Sequence, residues 1–225
     1  MKAVKKQKEV FKYKSTAEAA KCGDLDELYN MIKKDKNGKT KFEKDPFTAI
    51  NAASEGHEDC LKFAIDNKFP YNWITAYTAA RKGHLECLKI LHDANVNWDE
   101  RTCEYAAYNG HLECLQYAHE NGCPWDEMTI DSAARNGHIE CLKYAVENKC
   151  DYSSDVFYVA FVNNRKECLE YLFKKKTNMS DQKIKKILTK NIDENHQAIY
   201  NYLYKNRLED DSKRIVLLIK DCLDL

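Results

Sequence analysis

Cysteine and histidine are the residues of this chain whose types and spacing could do chemistry. Ten cysteines and seven histidines occur among 225 residues. His-x-x-Cys recurs four times, as His57/Cys60, His84/Cys87, His111/Cys114 and His138/Cys141. Residues three apart on a helix share a face, so each pair offers two ligands to a metal. A closed zinc site, however, needs four ligands within about 2.0–2.3 Å of the ion. One pair per repeat leaves the others a layer away, and packing explains the pattern better. Cys60, Cys87, Cys114, Cys141 and Cys168 form one column. Neighbouring helices lie about 8–10 Å apart, whereas a disulfide needs Cα atoms within about 7 Å. Cys123 and Cys150 form a second column with the same objection, and bridges between the columns stay open. A reducing compartment and burial as small hydrophobes account for both.

Catalysis has less support. The chain contains no phosphate-cradling glycine motif, GxSxG, HExxH or CxxC. Glu86, Glu113, Glu140 and Glu167 form a column in a helix's first turn, where negative charge suits the macrodipole. The expectation is a non-enzymatic protein with no metal, no cofactor and no small-molecule substrate. Lys+Arg and Asp+Glu are equal at 36 each, so no global field favours nucleic acid or membrane partners. No apolar run reaches the roughly 18–20 residues that span a bilayer, and the first fourteen residues lack a signal-peptide core. A cytoplasmic location is expected. Six lysines against one glutamate in residues 1–14 leave a nuclear address open, beside the plainer reading of a solvated cap.

What positions these residues is a repeat. GHEDCLKFA, GHLECLKIL, GHLECLQYA and GHIECLKYA begin at Gly56, Gly83, Gly110 and Gly137, each 27 residues after the last. NRKECLEYL follows 27 further on at Asn164; GDLDELYNM at Gly23 lies 33 before Gly56, and NHQAIYNYL at Asn195 lies 31 after Asn164. Eleven residues before the glycine position stand Asp45, Asn72, Asp99, Asp126 and Ser153, with Ser180 another 27 on. Each has a short side-chain oxygen able to accept from a helix's first N–H groups. Pro46 suits a first helical position, and Ser15 with Glu18 reads as a capping box. Tyr71, Trp98, Trp125 and Tyr152 precede the caps as core staples against Ala76, Cys103, Ile130 and Phe157.

The helix so begun is short and carries an alanine pair, as in Ala79-Ala80 and Ala106-Ala107, before it stops at the glycine. A second helix starts at Gly-His with an apolar stripe such as Leu85, Leu88 and Leu91. It ends near Lys68, Asn95, Gly122, Lys149 or Lys176. His92 and His119 are placed on its polar outer face. No such pair buries both helices alone, so stacking must supply the core.

AARKGHLECLKIL, AAYNGHLECLQYA and AARNGHIECLKYA resemble the core motif of ankyrin repeats. The resemblance implies an all-α fold: an ankyrin-type helix-turn-helix repeat solenoid with shortened inter-repeat loops. The family's usual 33-residue period survives only from Gly23 to Gly56, and the Thr-Pro-Leu-His opening is reduced to Thr48, Thr75, Thr102 and Thr129. The shortened units look similar to those of large DNA viruses of amoebae and some protists. In this family the histidine typically ties the inter-helix turn to backbone.

The expected organisation is a Lys-rich tail or cap over 1–14 and seven ankyrin-like helix pairs over 15–205. Their bounds are about 15–44, 45–71, 72–98, 99–125, 126–152, 153–179 and 180–205, followed by a C-terminal capping helix over 206–225. The resemblance implies a protein partner on the concave inner-helix face. The residues after each alanine pair face that groove, and Arg and aromatic side chains carry much interface energy. The partner-binding candidates are therefore Arg81, Lys82, Arg101, Tyr105, Tyr108, Asn109, Met128, Arg135 and Asn136. A structural or self-associating solenoid, and an adaptor localised by its basic N-terminus, are the alternative readings.

Overall fold

The computed structural model describes residues 11–33, 38–40, 42–152, 155–163 and 165–175. Most of the N-terminal tail, the seventh helix pair and the C-terminal cap helix fall outside these residues. The described residues form twelve helices in pairs. The first helices of the pairs are α1 (Thr16–Lys21), α3 (Thr48–Glu55), α5 (Trp73–Lys82), α7 (Glu100–Asn109), α9 (Glu127–Asn136) and α11 (Asp155–Val162). The second helices are α2 (Leu25–Ile32), α4 (Glu58–Asp66), α6 (Leu85–Asp93), α8 (Leu112–Glu120), α10 (Ile139–Glu147) and α12 (Lys166–Lys175). None of these is long and apolar enough to cross a membrane.

The helices belong to two compact units, residues 1–102 and 103–225, with the division falling inside α7. In the first unit α1, α3 and α5 pack in sequence, as do α2, α4 and α6. In the second, α9 packs on α11, and α10 lies between α8 and α12. The alanine pairs allow this close approach: Ala52, Ala53, Ala79 and Ala80 are fully buried in one unit, Ala106, Ala107, Ala133 and Ala134 in the other. Leu61, Leu88 and Leu91, and likewise Leu115, Leu142 and Leu172, fill the layer beneath them.

Helix starts follow the cap residues. Asn72 accepts from the Ile74 N–H at 2.9 Å, and Thr75 Oγ1 accepts from the Asn72 N–H at 3.3 Å, closing a capping box. Asp126 accepts from the Met128 N–H at 3.0 Å, and Asp99 from the Arg101 N–H at 3.2 Å. Two starts differ from expectation. Asp45 accepts from the Phe47 N–H at 2.9 Å, but α3 begins at Thr48, so Pro46 lies in the preceding turn rather than inside the helix. Ser15 accepts from the Glu18 N–H at 3.2 Å, while Glu18 takes the Lys14 N–H rather than that of Ser15.

Both helices of the pairs from α3–α4 to α9–α10 stop by the same device. Gly56, Gly83 and Gly137 adopt φ of 76°, 78° and 81°, a region that costs any residue with a Cβ. The next N–H then reaches back five residues, as in His57 to Ala52 O (2.9 Å) and His138 to Ala133 O (2.9 Å). The second helices repeat it through Lys68, Asn95, Gly122 and Lys149, with Phe69 donating to Ala64 O at 2.9 Å and Cys150 to Ala145 O at 3.0 Å. These are Schellman ends, and they fall where the sequence places the helix stops.

The loop from α4 to α5 occupies only residues 67–72, against 33–47 between α2 and α3. The long interval from Gly23 to Gly56 thus carries its extra residues between helix pairs.

Candidate functional site

His57 and His84 of the His-x-x-Cys pairs turn backward, to the carbonyls of the preceding repeat. His57 Nε2 lies 3.1 Å from the Lys21 carbonyl, and His84 Nε2 lies 3.1 Å from the Ser54 carbonyl. Both carbonyls sit at the C-terminal end of the preceding pair's first helix. The ring thereby ties two repeats together and satisfies a carbonyl the helix leaves open. Glycine is what lets the ring approach: a Cβ on Gly56 would stand 2.6 Å from His84 Nδ1, and one on Gly110 would stand 2.5 Å from His138 Nδ1.

The cysteine columns are interior. Cys60, Cys87, Cys114, Cys141 and Cys168 are buried, as are Cys103, Cys123 and Cys150. Burial pushes the Cys60 and Cys168 thiols up to about 11 and those of Cys114, Cys141 and Cys150 to about 12. Cys103 is raised further by its hydrogen bond with Cys123 and by burial. Such thiols have little nucleophilic thiolate at neutral pH. Among the described residues no group of three or more His, Cys, Asp or Glu side chains could hold a metal ion. Cys22 is the exposed cysteine among them.

The outer helices hold an aromatic arrangement that the expectation of core staples and a polar face does not describe. Trp98 and Trp125 are half-buried and lie against histidines of the second helix in their own repeat. Trp98 is 4.6 Å from His92, and Trp125 stacks on His119 at 3.6 Å between ring centroids. The Tyr144 hydroxyl sits 2.8 Å from His119 Nδ1. Partial burial lowers the His119 pKa below its ordinary value. The core positions near those tryptophans are taken instead by Val96 and Cys123, two residues earlier.

The remaining surface of interest is the face of the first helices opposite their alanines. In the first unit Arg81 and Lys82 are exposed at the end of α5. Arg101 lies at the start of α7, with its guanidinium bound by Asp99 and set 3.7 Å above the Trp73 ring. Trp73 in turn stacks on Tyr77, with centroids 5.7 Å apart. That Arg–Trp–Tyr column extends the predicted set, because Trp73 and Tyr77 were not expected there. Cation–π contact and the Asp99 carboxylate fix Arg101 in place, and Asp99 raises its pKa.

In the second unit, Tyr105 and Tyr108 sit 6.3 Å apart on α7, with Tyr108 42% exposed and Met128 on α9 43% exposed. Arg135 is exposed at the end of α9. Asn109 and Asn136 use their amides locally, donating to the Tyr105 and Ser132 carbonyls at 2.9 and 3.0 Å. They finish the helix, with part of their hydrogen-bonding capacity already engaged.

Comparison with known proteins agrees with the repeat. A family described as "Ankyrin repeats (3 copies)" matches residues 103–186, and one described as "Ankyrin repeats (many copies)" matches 49–92 and 76–119. No curated protein matches the chain. Among solved structures, the ankyrin repeat domain of human ASB11 is similar with a TM-score of 0.51 and 17% identity, covering 69% of this chain and 82% of that one. The helix pairs, their Schellman ends and the matches over residues 49–186 lead to one conclusion: this chain belongs to the ankyrin repeat family.

Proposed function

We propose that this protein is a non-enzymatic scaffold that holds a protein partner against the outward face of its first helices. Ankyrin repeats are generally protein–protein interaction modules. The observation that carries the choice of face is where large apolar groups remain in water. Of the four exposed large hydrophobic residues among those described, Phe47, Tyr108 and Met128 belong to first helices or their starts, and only Tyr29 to a second helix. Exposed apolar surface beside arginine is the composition of interface hot spots. The surface is preformed, because Asp99 and Trp73 hold Arg101 and the alanine layer fixes the helices; little ordering cost is then left for binding.

The test is substitution. Changing Arg81, Tyr105, Tyr108 and Arg135 together to alanine is expected to abolish partner capture from the native host. Helicity and melting temperature should stay close to those of the parent, since none of the four side chains is buried. Undiminished capture by a folded variant would overturn the choice of face.

A further inference from the structure

We infer that Arg135 and Arg165 together form a clamp for a carboxylate of an acidic segment in the protein partner, an assignment that rests on the proposed scaffold role. The argument begins with a departure from the repeat. Where the earlier units carry His57, His84, His111 and His138, the next carries Arg165. Its Nε does the work of the histidine, donating to the Arg135 carbonyl at 2.9 Å across two consecutive repeats. A Cβ on Gly137 would stand 2.8 Å from Arg165 Cδ, so the stem lies over the glycine as the imidazole rings do elsewhere.

An imidazole would complete that job with no fixed charge. Arginine completes it with Nε alone and leaves both terminal amino groups of a permanently charged fork to spare. The tie also brings the Arg165 guanidinium to the backbone of Arg135, whose own side chain is exposed at the end of α9. Neither guanidinium has a carboxylate partner among the described residues, whereas Arg101 is taken by Asp99. Two cationic side chains based at one solvent edge suit an anion, and a carboxylate matches the fork geometry.

The chemistry favours an acidic protein segment over a polyphosphate. Tyr108 occupies in α7 the position that Arg135 occupies in α9, one repeat apart, so an apolar side chain of the same segment has a surface to meet. Exposed Glu113, Glu140 and Glu167 stand in the first turns of α8, α10 and α12. They would repel a continuous phosphate track but can flank a single carboxylate.

The experiment follows the side-chain Nε–Hε signals of the full chain by NMR during titration with hexaglutamate at low salt. The Arg135 and Arg165 signals should shift together and saturate, while that of Arg101 stays still. Arg165→His restores the residue of the other repeats, so it preserves the tie and the fold while removing the spare fork. It should weaken hexaglutamate about two- to fivefold, the range of an exposed charge pair, with an unchanged melting temperature. Arg135→Gln should do the same, and it decides the matter if Arg165→His does not fold. Equal hexaglutamate affinity in a folded variant overturns the clamp, as does tighter binding of inositol hexakisphosphate or a single-stranded RNA. The two proposals fail separately. If Arg165→His keeps full partner capture while the four-site alanine variant loses it, the clamp falls and the face stands. If the four-site variant captures fully while Arg165→His still loses hexaglutamate, the face falls and the clamp stands.

Discussion

Thr48 and Thr129 occupy the same position of the repeat and are both fully buried, yet their hydroxyls meet different surroundings. Thr48 Oγ1 donates to the Asp45 carbonyl at 2.8 Å and lies 2.8 Å from Thr16 Oγ1, which also accepts from the Asp45 N–H at 3.3 Å. Thr129 Oγ1 is buried with no hydrogen-bond partner among the described residues. A buried hydroxyl without a partner costs about 1–3 kcal/mol, whereas a made bond contributes about 1 kcal/mol. Thr48→Val should therefore lower unfolding free energy in urea by about 1–2 kcal/mol, while Thr129→Val should leave it unchanged or raise it. The sequence displays the threonine column but cannot distinguish its members, because the Thr16–Thr48 contact joins residues far apart in the chain. Asn72 and Asp126 were legible as caps for the opposite reason: their partners lie two residues away.

At the level of the helix, stop signals are divided between glycine and residues that pay for the same geometry. Lys68, Asn95 and Lys149 hold φ of 57°, 57° and 63°. Left-handed backbone costs a residue with a Cβ about 1–2 kcal/mol, so Lys149→Gly should raise the thermal midpoint, with a gain of about 1 kcal/mol after the added chain entropy. Gly56→Ala should do the reverse by about 2 kcal/mol or more, since the same strain is joined by an overlap with His84. Differential scanning calorimetry of the two variants checks both signs. Helix ends and alanine layers could be read from the chain because each rests on local bonds or a fixed period. The Arg101–Trp73–Tyr77 column could not, since Arg101 stands 28 residues beyond Trp73 and only the packing of the helices brings them together. The stacking of Trp125 on His119 was hidden likewise: an apolar residue before a cap suggests a staple, while the preceding loop had already supplied Cys123 to the core.

For the molecule as a whole, the buried thiols set a limit on alkaline stability. Cys60, Cys114, Cys141, Cys150 and Cys168 are raised to between about 11 and 12 in the folded chain from an ordinary value of 9.0. The unfolded chain therefore loses these protons first, and stability that is complete below pH 9 should fall as pH rises toward 11–12. Melting temperatures from pH 7 to 11 should show this decline, and it should shrink when Cys114 and Cys141 are replaced by alanine, after allowance for the smaller side chain. Alkylation at neutral pH should mark Cys22 well before the buried cysteines. The repeat and its buried columns were plain in the order of residues, while the backward reach of the histidines was not, because their acceptors belong to the preceding repeat.

That backward reach gives the array a direction. His57 and His84, and Arg165 in the other compact unit, each complete a helix that was finished one repeat earlier. Trimming from the front discards an acceptor and leaves an imidazole free to turn to water. Trimming from the rear strips the donor from a carbonyl whose own segment is still in place. Fraying of the described units should therefore advance more readily from the C-terminal side, each lost layer loosening the lid on the one before it.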